Sequence, residues 1–388
     1  MEPGKDGVGD YSRRVAGALI RQGHPSVAVA LNDPHIAATK FECQEIEGTS
    51  VDVMRLPSAA PWSSRVTEAR RWVESFKPDW ASLQFVIFGF HPKGLCFGLG
   101  KNLAAINSKT SWHVMFHELW LGLGENSPVR HRVCGALQRG IVLDIMRRLR
   151  PRVVHTQAEV FRIALGREKI AAAVLPLISN VPYVKGDGWA EILEPLVSQA
   201  GVKRPERKKL YLAGIFGAVY PEWKVEEVVN TLFPLLQQSQ KRLMLVFHGR
   251  SNLTPAMFEQ LENKIRNHAD VVVVGERPGC EISKILQALD LGLATTPRQV
   301  IQKSGSVAAM LQHGLPVLVI RDDWRLRGPD SPREETSSRL LSPKQFALLK
   351  TLPTRDPDAP QGCPVEYVAG EILKMMNCRQ TFLTDQLH

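Results

Sequence analysis

Between Thr295 and Val319 the chain reads TTPRQVIQKSGSVAAMLQHGLPVLV, and its Lys303-Ser304-Gly305-Ser306 step is the one best suited to hold an anion. The pattern predicts a strand over 291–295, a loop, a helix from Gly305 to about His313 and a further strand over 317–320. The first amides of a helix have no intrahelical acceptor, and the helix dipole adds positive potential there, so a phosphate oxygen is a fitting ligand. Lys303 adds a point charge, Gly305 permits close backbone approach, and the Ser304 and Ser306 hydroxyls cap the helix or meet the anion. Alone, the same residues also describe an ordinary capped helix with a solvated lysine, so the rest of the chain must decide.

Three other places offer chemistry. His117 follows a predicted strand, Trp112–Phe116, at the carboxyl end where open α/β sheets take ligands, and Glu118 is next to it. Lys224 falls near the start of a predicted helix, Glu222–Gln238, where a cation is a poor partner for the dipole; a diphosphate facing it explains the placement. Gly7-Val8-Gly9 precedes a predicted helix, Tyr11–Gln22, with Asp10 as its expected N-cap and Gly23 as its stop. Ser12 stands where a dinucleotide fingerprint would need its third glycine, which disfavours a nicotinamide enzyme. The two glycines then read either as a flexible loop that a ligand approaches closely or as a tight strand-to-helix turn.

What positions these residues follows from length and pattern. With 388 residues, 44% hydrophobic and 23% charged, the chain is an ordinary globular protein too long for one compact core. Short β-branched runs alternate with helix-length segments, as in α/β chains with parallel sheets. The expected strands are 27–31, 51–56, 80–85, 112–116, 153–156 and 173–177, then 210–213, 243–247, 271–274, 291–295 and 317–320. Helices are expected over 255–267 and 281–288 as well. The polar, basic segment Gln199–Lys209 is the expected linker between an N-terminal domain, 1–200, and a C-terminal domain, 205–364; a last helix in 365–388 is expected to cross back to the first domain. Segments 321–339 and 353–364 read as loop-rich.

Other classes are set aside by what the sequence does not contain. No apolar run nears the ~20 residues that span a bilayer, and MEPGKDGVGDYS has no apolar signal core, so the expectation is a cytoplasmic protein. The six cysteines form no C-x-x-C pair and no His/Cys cluster has zinc spacing, so neither metal nor cofactor is expected. A net charge of +10 favours an anionic partner. Seven arginines, from Arg130 to Arg152, crowd a segment whose only acid is Asp144, and helical spacing puts Arg132, Arg139, Arg147 and Arg150 on one side. Such a face reads equally as one that meets an anionic membrane and as a plain solvated face, whereas no recognition motif or stacking platform supports nucleic-acid binding.

With both halves laid out, the chain resembles a glycosyltransferase of the two-Rossmann GT-B fold, most similar to glycosyltransferase family 4. Gly7–Ala16 is similar to that family's glycine loop and first helix, and Trp112–Trp120 to the strand that ends in a histidine. Gly214–Lys224, GIFGAVYPEWK, resembles the first nucleotide-binding loop with its phosphate-binding lysine; Val273–Arg277 resembles the strand end near the nucleobase; Ala309–Val317 resembles the helix and strand after the pyrophosphate site. The resemblance implies two doubly wound domains facing each other across a cleft. It implies donor diphosphate on Gly217, Lys224, Lys303, Ser304, Gly305 and Ser306, and the base near Gly275, Glu276 and Arg277. His117 would be the catalytic residue against the donor sugar, with Gly7, Gly9, Asp10 and Glu118 on the acceptor side.

Departures from the family pattern are specific. Its paired glutamates would fall near Ile301 and Ala309, where there is no carboxylate, and the arginine expected after Gly217 is replaced by Ala218 and Val219. Arg250 is the candidate to supply that charge. The first strand of the N-terminal domain is also missing, because the glycine loop begins at Gly4. The implied function is metal-independent, retaining transfer of a hexose, best matched to UDP-glucose, onto a saccharide or lipid-linked acceptor in surface polysaccharide or glycolipid synthesis. Two rivals stand beside it: a sugar-nucleotide 2-epimerase, which needs converging acid–base groups that the sequence does not show, and a non-catalytic nucleotide-sugar-binding partner of an active transferase.

Overall fold

Alternating β-branched runs and amphipathic segments build two α/β units, seen in a computed structural model that describes residues 1–4, 6–106, 110–199, 206–220, 222–330, 332, 337–358 and 364–384. One unit comprises residues 1–176, 326–332 and 364–388; the other comprises 177–325 and 333–363. Most of the expected linker, residues 200–205, lies outside the described residues, as do parts of the loop-rich segments 321–339 and 353–364.

The first unit opens with helix α1 (Gly7–Arg21) and continues with β1 (Val27–Asp33), β2 (Lys40–Ile46), β3 (Thr49–Pro57) and α2 (Trp62–Phe76). There follow β4 (Trp80–Phe85), α3 (Leu99–Ile106), β5 (Ser111–Phe116), α4 (Val129–Leu149), β6 (Val153–Thr156), α5 (Glu159–Arg167) and β7 (Ala173–Val174). These strands make two sheets: a three-stranded one in the order β1-β3-β2 and a four-stranded one in the order β4-β5-β6-β7. No described strand precedes α1. The sequence pattern missed β2, which pairs antiparallel with β3 across Glu47-Gly48; both turn residues have positive φ, 50° and 73°, as a two-residue hairpin requires. Exposed Lys40, Phe41 and Cys43 hid this strand, because it carries no regular alternation.

The second unit holds α6 (Glu194–Gln199), β8 (Leu210–Phe216), α7 (Val225–Gln238), β9 (Arg242–His248), α8 (Pro255–Ile265) and β10 (Ala269–Gly275). It continues with α9 (Gly279–Ala288), β11 (Leu291–Ala294), α10 (Gly305–Gln312), β12 (Val317–Val319), β13 (Leu340–Leu341) and α11 (Pro343–Ala347). Its six strands form one all-parallel sheet in the order β10-β9-β8-β11-β12-β13. Leu210, Leu212, Met244, Val246 and Val317 face one hydrophobic cluster, and Tyr211, Ala213, Leu243, Leu245 and Leu318 the opposite one, so helices cover both faces. Residues 177–199 belong with this unit because Val181, Leu193 and Val197 are buried in the first of those clusters.

The last helix, α12 (Val365–Thr384), packs on α1, where Gln22 Nε2 donates to the Glu366 carbonyl at 3.0 Å and Arg21 pairs with the Glu366 carboxylate at 2.8 Å. Among the described residues no helix is long and apolar enough to cross a membrane, and no group of three His, Cys, Asp or Glu is placed to hold a metal ion.

Candidate functional site

In the second unit the strand order reverses between β8 and β11, and open parallel sheets bind ligands just beyond the carboxyl ends of such a pair. The loop after β8 is tied down on all sides. Gly217 N donates to the His248 carbonyl at 2.8 Å, Asn252 bonds both the Val219 N–H (2.7 Å) and its carbonyl (2.9 Å), and Thr295 Oγ1 donates to the Ala218 carbonyl at 3.2 Å. Thr295 and Thr296, just past β11, are both buried. From there Pro297 leads into a 3₁₀ turn, Arg298–Lys303, and Ser304 caps α10 by accepting from Val307 N at 3.4 Å.

Three hydroxyls form a chain at this helix start, since Thr296 Oγ1 lies 3.4 Å from Ser304 Oγ, which lies 3.1 Å from Ser306 Oγ. The space above is open. A Cβ at Gly305 or at Gly217 would meet nothing within 4 Å, so there is room beside the first residue of α10 and beside the turn after β8. This arrangement can accept anionic oxygens from amides and hydroxyls at once.

Charged groups expected around it fare unequally. Lys224 is the N-cap residue of α7 rather than part of its first turn, is exposed, and pairs with Glu227 at 3.2 Å. Arg250 and Glu276, assigned to diphosphate and to base, bond each other through two contacts of 2.8 and 3.3 Å; the neighbouring carboxylate holds the Arg250 guanidinium still more firmly in its charged form. Arg277 lies 3.7 Å from Glu281, one helical turn along α9. Gly275 ends β10 at φ 73°, as Gly217 and Gly249 follow β8 and β9 at 84° and 80°. At Gly249 a side chain would strike the Phe216 ring, 2.7 Å from an ideal Cβ.

The sequence did not reveal the best-anchored cation here. Arg321, just beyond β12, is nearly buried; it makes a two-point pair with Asp323, reaches Glu222 at 3.2 Å and lies 5.5 Å from the Tyr220 ring. Its backbone carbonyl accepts from Arg298 N at 3.0 Å, which links it to the turn leading into α10. The available signal was its place directly after a buried strand. His248 was also missed: it is stacked 4.9 Å from Phe216, neither ring nitrogen meets a partner among the described residues, and burial pushes its pKa down to about 3.

The family's glutamate positions are closed to a ligand. Ile301 and Ala309 are buried in the hydrophobic cluster that also holds Leu315 and Val317, so the missing carboxylates are replaced by core packing.

In the first unit, helix α1 starts earlier than expected. Asp6 is the N-cap, accepting from Val8 N at 3.1 Å, and Gly7 and Gly9 are helical instead of forming a loop. Asp10 is not the cap; it accepts from Gly4 N at 3.1 Å and pairs with Arg13. A Cβ at Gly9 would lie 2.8 Å from Asp6 Oδ2, the partner of the oxygen that caps the helix. His117 does sit at the end of β5, but it is buried. Its backbone N donates to the Phe85 carbonyl at 3.0 Å, its Nε2 meets Gln84 Oε1 at 3.0 Å, and the Tyr11 ring meets it edge-on at 4.7 Å. Burial pushes its pKa down to about 4 against the opposing influence of a Gln157 hydrogen bond and the Asp6 charge, so it is neutral at pH 7. Glu118 is partly exposed. Beneath lies a relay that sequence gave no sign of, from Ser82 Oγ to His113 Nδ1 (2.8 Å) and from His113 Nε2 to His155 Nδ1 (3.0 Å).

No protein-family model matches this chain, and no curated protein matches it in sequence. Solved structures do. The E. coli structure described as trehalose-6-phosphate bound with UDP-2-fluoro glucose is similar over 99% of this chain and 96% of that chain, at 11% identity and a TM-score of 0.51. S. aureus MnaA with UDP is similar over 98% and 96%, at 12% identity and a TM-score of 0.49. The α,α-trehalose 6-phosphate synthase of Burkholderia multivorans is similar over 99% and 93%, at 10% identity and a TM-score of 0.48. At these identities the likeness speaks to architecture, and the first carries it: the chain has the mixed α/β fold of two Rossmann-like units, GT-B.

Proposed function

We propose that this chain binds a nucleotide diphosphate sugar in its second unit and transfers the hexose to a saccharide or lipid-linked acceptor. The observation that carries the reading is the open start of α10, with Thr296, Ser304 and Ser306 hydroxyls chained beside it, at the point where the parallel sheet reverses order. Two linked phosphates suit it because each can take amide and hydroxyl bonds at once. Lys303 ends the turn that delivers the helix, and Arg321 is anchored beside it. UDP and glucose are the donor components in this reading. The leaving diphosphate is neutralised by the helix start and nearby cations, which stabilises charge that grows in the transition state. Retention of configuration, a place in surface polysaccharide or glycolipid synthesis and a cytoplasmic setting complete the proposal, together with a nucleobase near Gly275.

One observation favours a second reading, a nucleotide-sugar-binding partner without turnover. The positions of the paired glutamates are apolar and buried, and His117 is a buried neutral imidazole already bonded to Gln84. Incubation with a panel of nucleotide sugars separates these. Slow release of free UDP supports transfer, UDP-sugar binding without turnover supports the partner, and a changed sugar still attached to nucleotide supports an epimerase. No calorimetric heat with UDP, or equal heat with Ser304→Ala and Lys303→Ala, would sink the donor site itself.

A further inference from the structure

Helix α4 carries an exposed apolar stripe that packing in its unit does not use. Val129, Val133 and Leu137 are 73%, 60% and 48% exposed, and they stand on successive turns of one helix. Four-residue steps rotate a helix by only about 40°, so the three form a continuous ridge, with exposed Ala136 and Gly140 beside it. The opposite side, through Gln138, Ile141, Val142, Ile145 and Leu149, is buried.

Charge is arranged around this ridge. Arg130 lies on one flank and Arg132 and Arg139 on the other, all three exposed. Toward the C-terminal end Arg139 pairs with Glu168, and Arg147 and Arg148 share Asp144 at 2.7 and 2.9 Å. Arg132 donates to the Glu125 carbonyl at 2.6 Å rather than to an acid, and Arg130 makes no ion pair among the described residues. The half of α4 that carries the apolar ridge therefore keeps two cationic side chains at its flanks.

We infer that this face is a docking surface for an anionic lipid bilayer, with Val129, Val133 and Leu137 entering the headgroup boundary and Arg130 and Arg132 meeting lipid phosphates. An apolar strip flanked by arginines fits that partner because long cationic side chains reach the phosphate layer while their neighbours enter the acyl boundary. The inference is independent of sugar transfer and is tested by binding alone. In vesicle co-sedimentation, the full chain should bind phosphatidylglycerol–phosphatidylcholine vesicles and leave phosphatidylcholine vesicles largely unbound, with binding weakened by salt. Val133→Glu and Leu137→Glu should each weaken it about tenfold. Arg130→Gln and Arg132→Gln should each weaken it about fivefold. Leu348→Glu, an exposed apolar residue of the other unit, should bind as the parent does. Thermal melts like the parent's establish that the variants fold, which the exposure of these side chains favours. Absent binding, binding indifferent to lipid charge or to the four variants, or a self-associated dimer that Val133→Glu dissociates would each overturn the inference.

Discussion

The two units build their sheets from similar strands, yet one sheet is continuous and the other is divided. In the second unit β8 lies between β9 and β11 and joins two wings into a six-stranded sheet, and Leu210 to Ile215 are buried along it. In the first unit no described strand precedes α1, and the wings remain apart as β1-β3-β2 and β4-β5-β6-β7. β1 and β4 then each keep one edge without a ladder among the described residues, and both are only partly buried. Side chains do what a strand does elsewhere. Arg65 donates to the Leu31 carbonyl (3.0 Å) and Asn32 Oδ1 (2.8 Å), Asn32 Nδ2 donates to the Gly89 carbonyl (2.8 Å), and Tyr11 on α1 meets His117 beyond β5. The central strand of a doubly wound sheet thus decides whether strand ends converge through backbone or through side chains. Backbone convergence at β8 and β11 is what the first unit lacks among the described residues.

The sharpest test of this contrast is the cost of thinning each sheet near its middle. Leu212→Ala, in β8, should cost about 3 kcal/mol by urea denaturation, whereas Val29→Ala, in partly exposed β1, should cost about 1 kcal/mol or less. Equal losses would break the comparison. Arg65→Met should cost about 2 kcal/mol, because it removes both bonds at the division and a cation stacked 4.0 Å over Trp62. Stability unchanged by that substitution would show that the division needs no such tie.

Acid sensitivity should appear in both units through buried neutral histidines. His117 and His155 have pKa values pushed to about 4, and His248 to about 3, from an ordinary 6.5. Below pH 6.5 the unfolded chain takes up protons that the folded one refuses. Their contribution is therefore complete above that value and is lost as pH falls through it, by about 1.4 kcal/mol per histidine per pH unit, until each folded group titrates. Denaturation curves at pH 7 and pH 5 should show the loss, and His248→Phe should reduce it. A smaller effect is expected at the cradle: Ser304→Ala removes a helix cap worth about 1 kcal/mol and should weaken UDP about fivefold by calorimetry. Lys224→Ala should do less to nucleotide binding than Arg321→Ala, since Lys224 is exposed whereas Arg321 is nearly buried and its backbone is bonded to the turn that leads into α10.

Local chemistry made much of this legible. The alternating apolar residues Ala81, Leu83 and Phe85, the β-branched run Val153–Thr156, and the Ser304 cap followed by an apolar face announce themselves because neighbours in sequence are neighbours in a strand or a helix turn. The α10 start could be read for the same reason: its amides, hydroxyls and glycine are consecutive. Contacts between distant segments were not legible. Arg250 went to Glu276 across adjacent strand ends, and Arg321 came to rest near Tyr220 through strand order alone. By itself the sequence determined most of the elements and the capped start of one helix, since periodicity and capping act within a few residues. Which strand stands between which, and so which side chains share a site, was decided only by tertiary structure, because burial and pairing are settled among residues far apart in the chain.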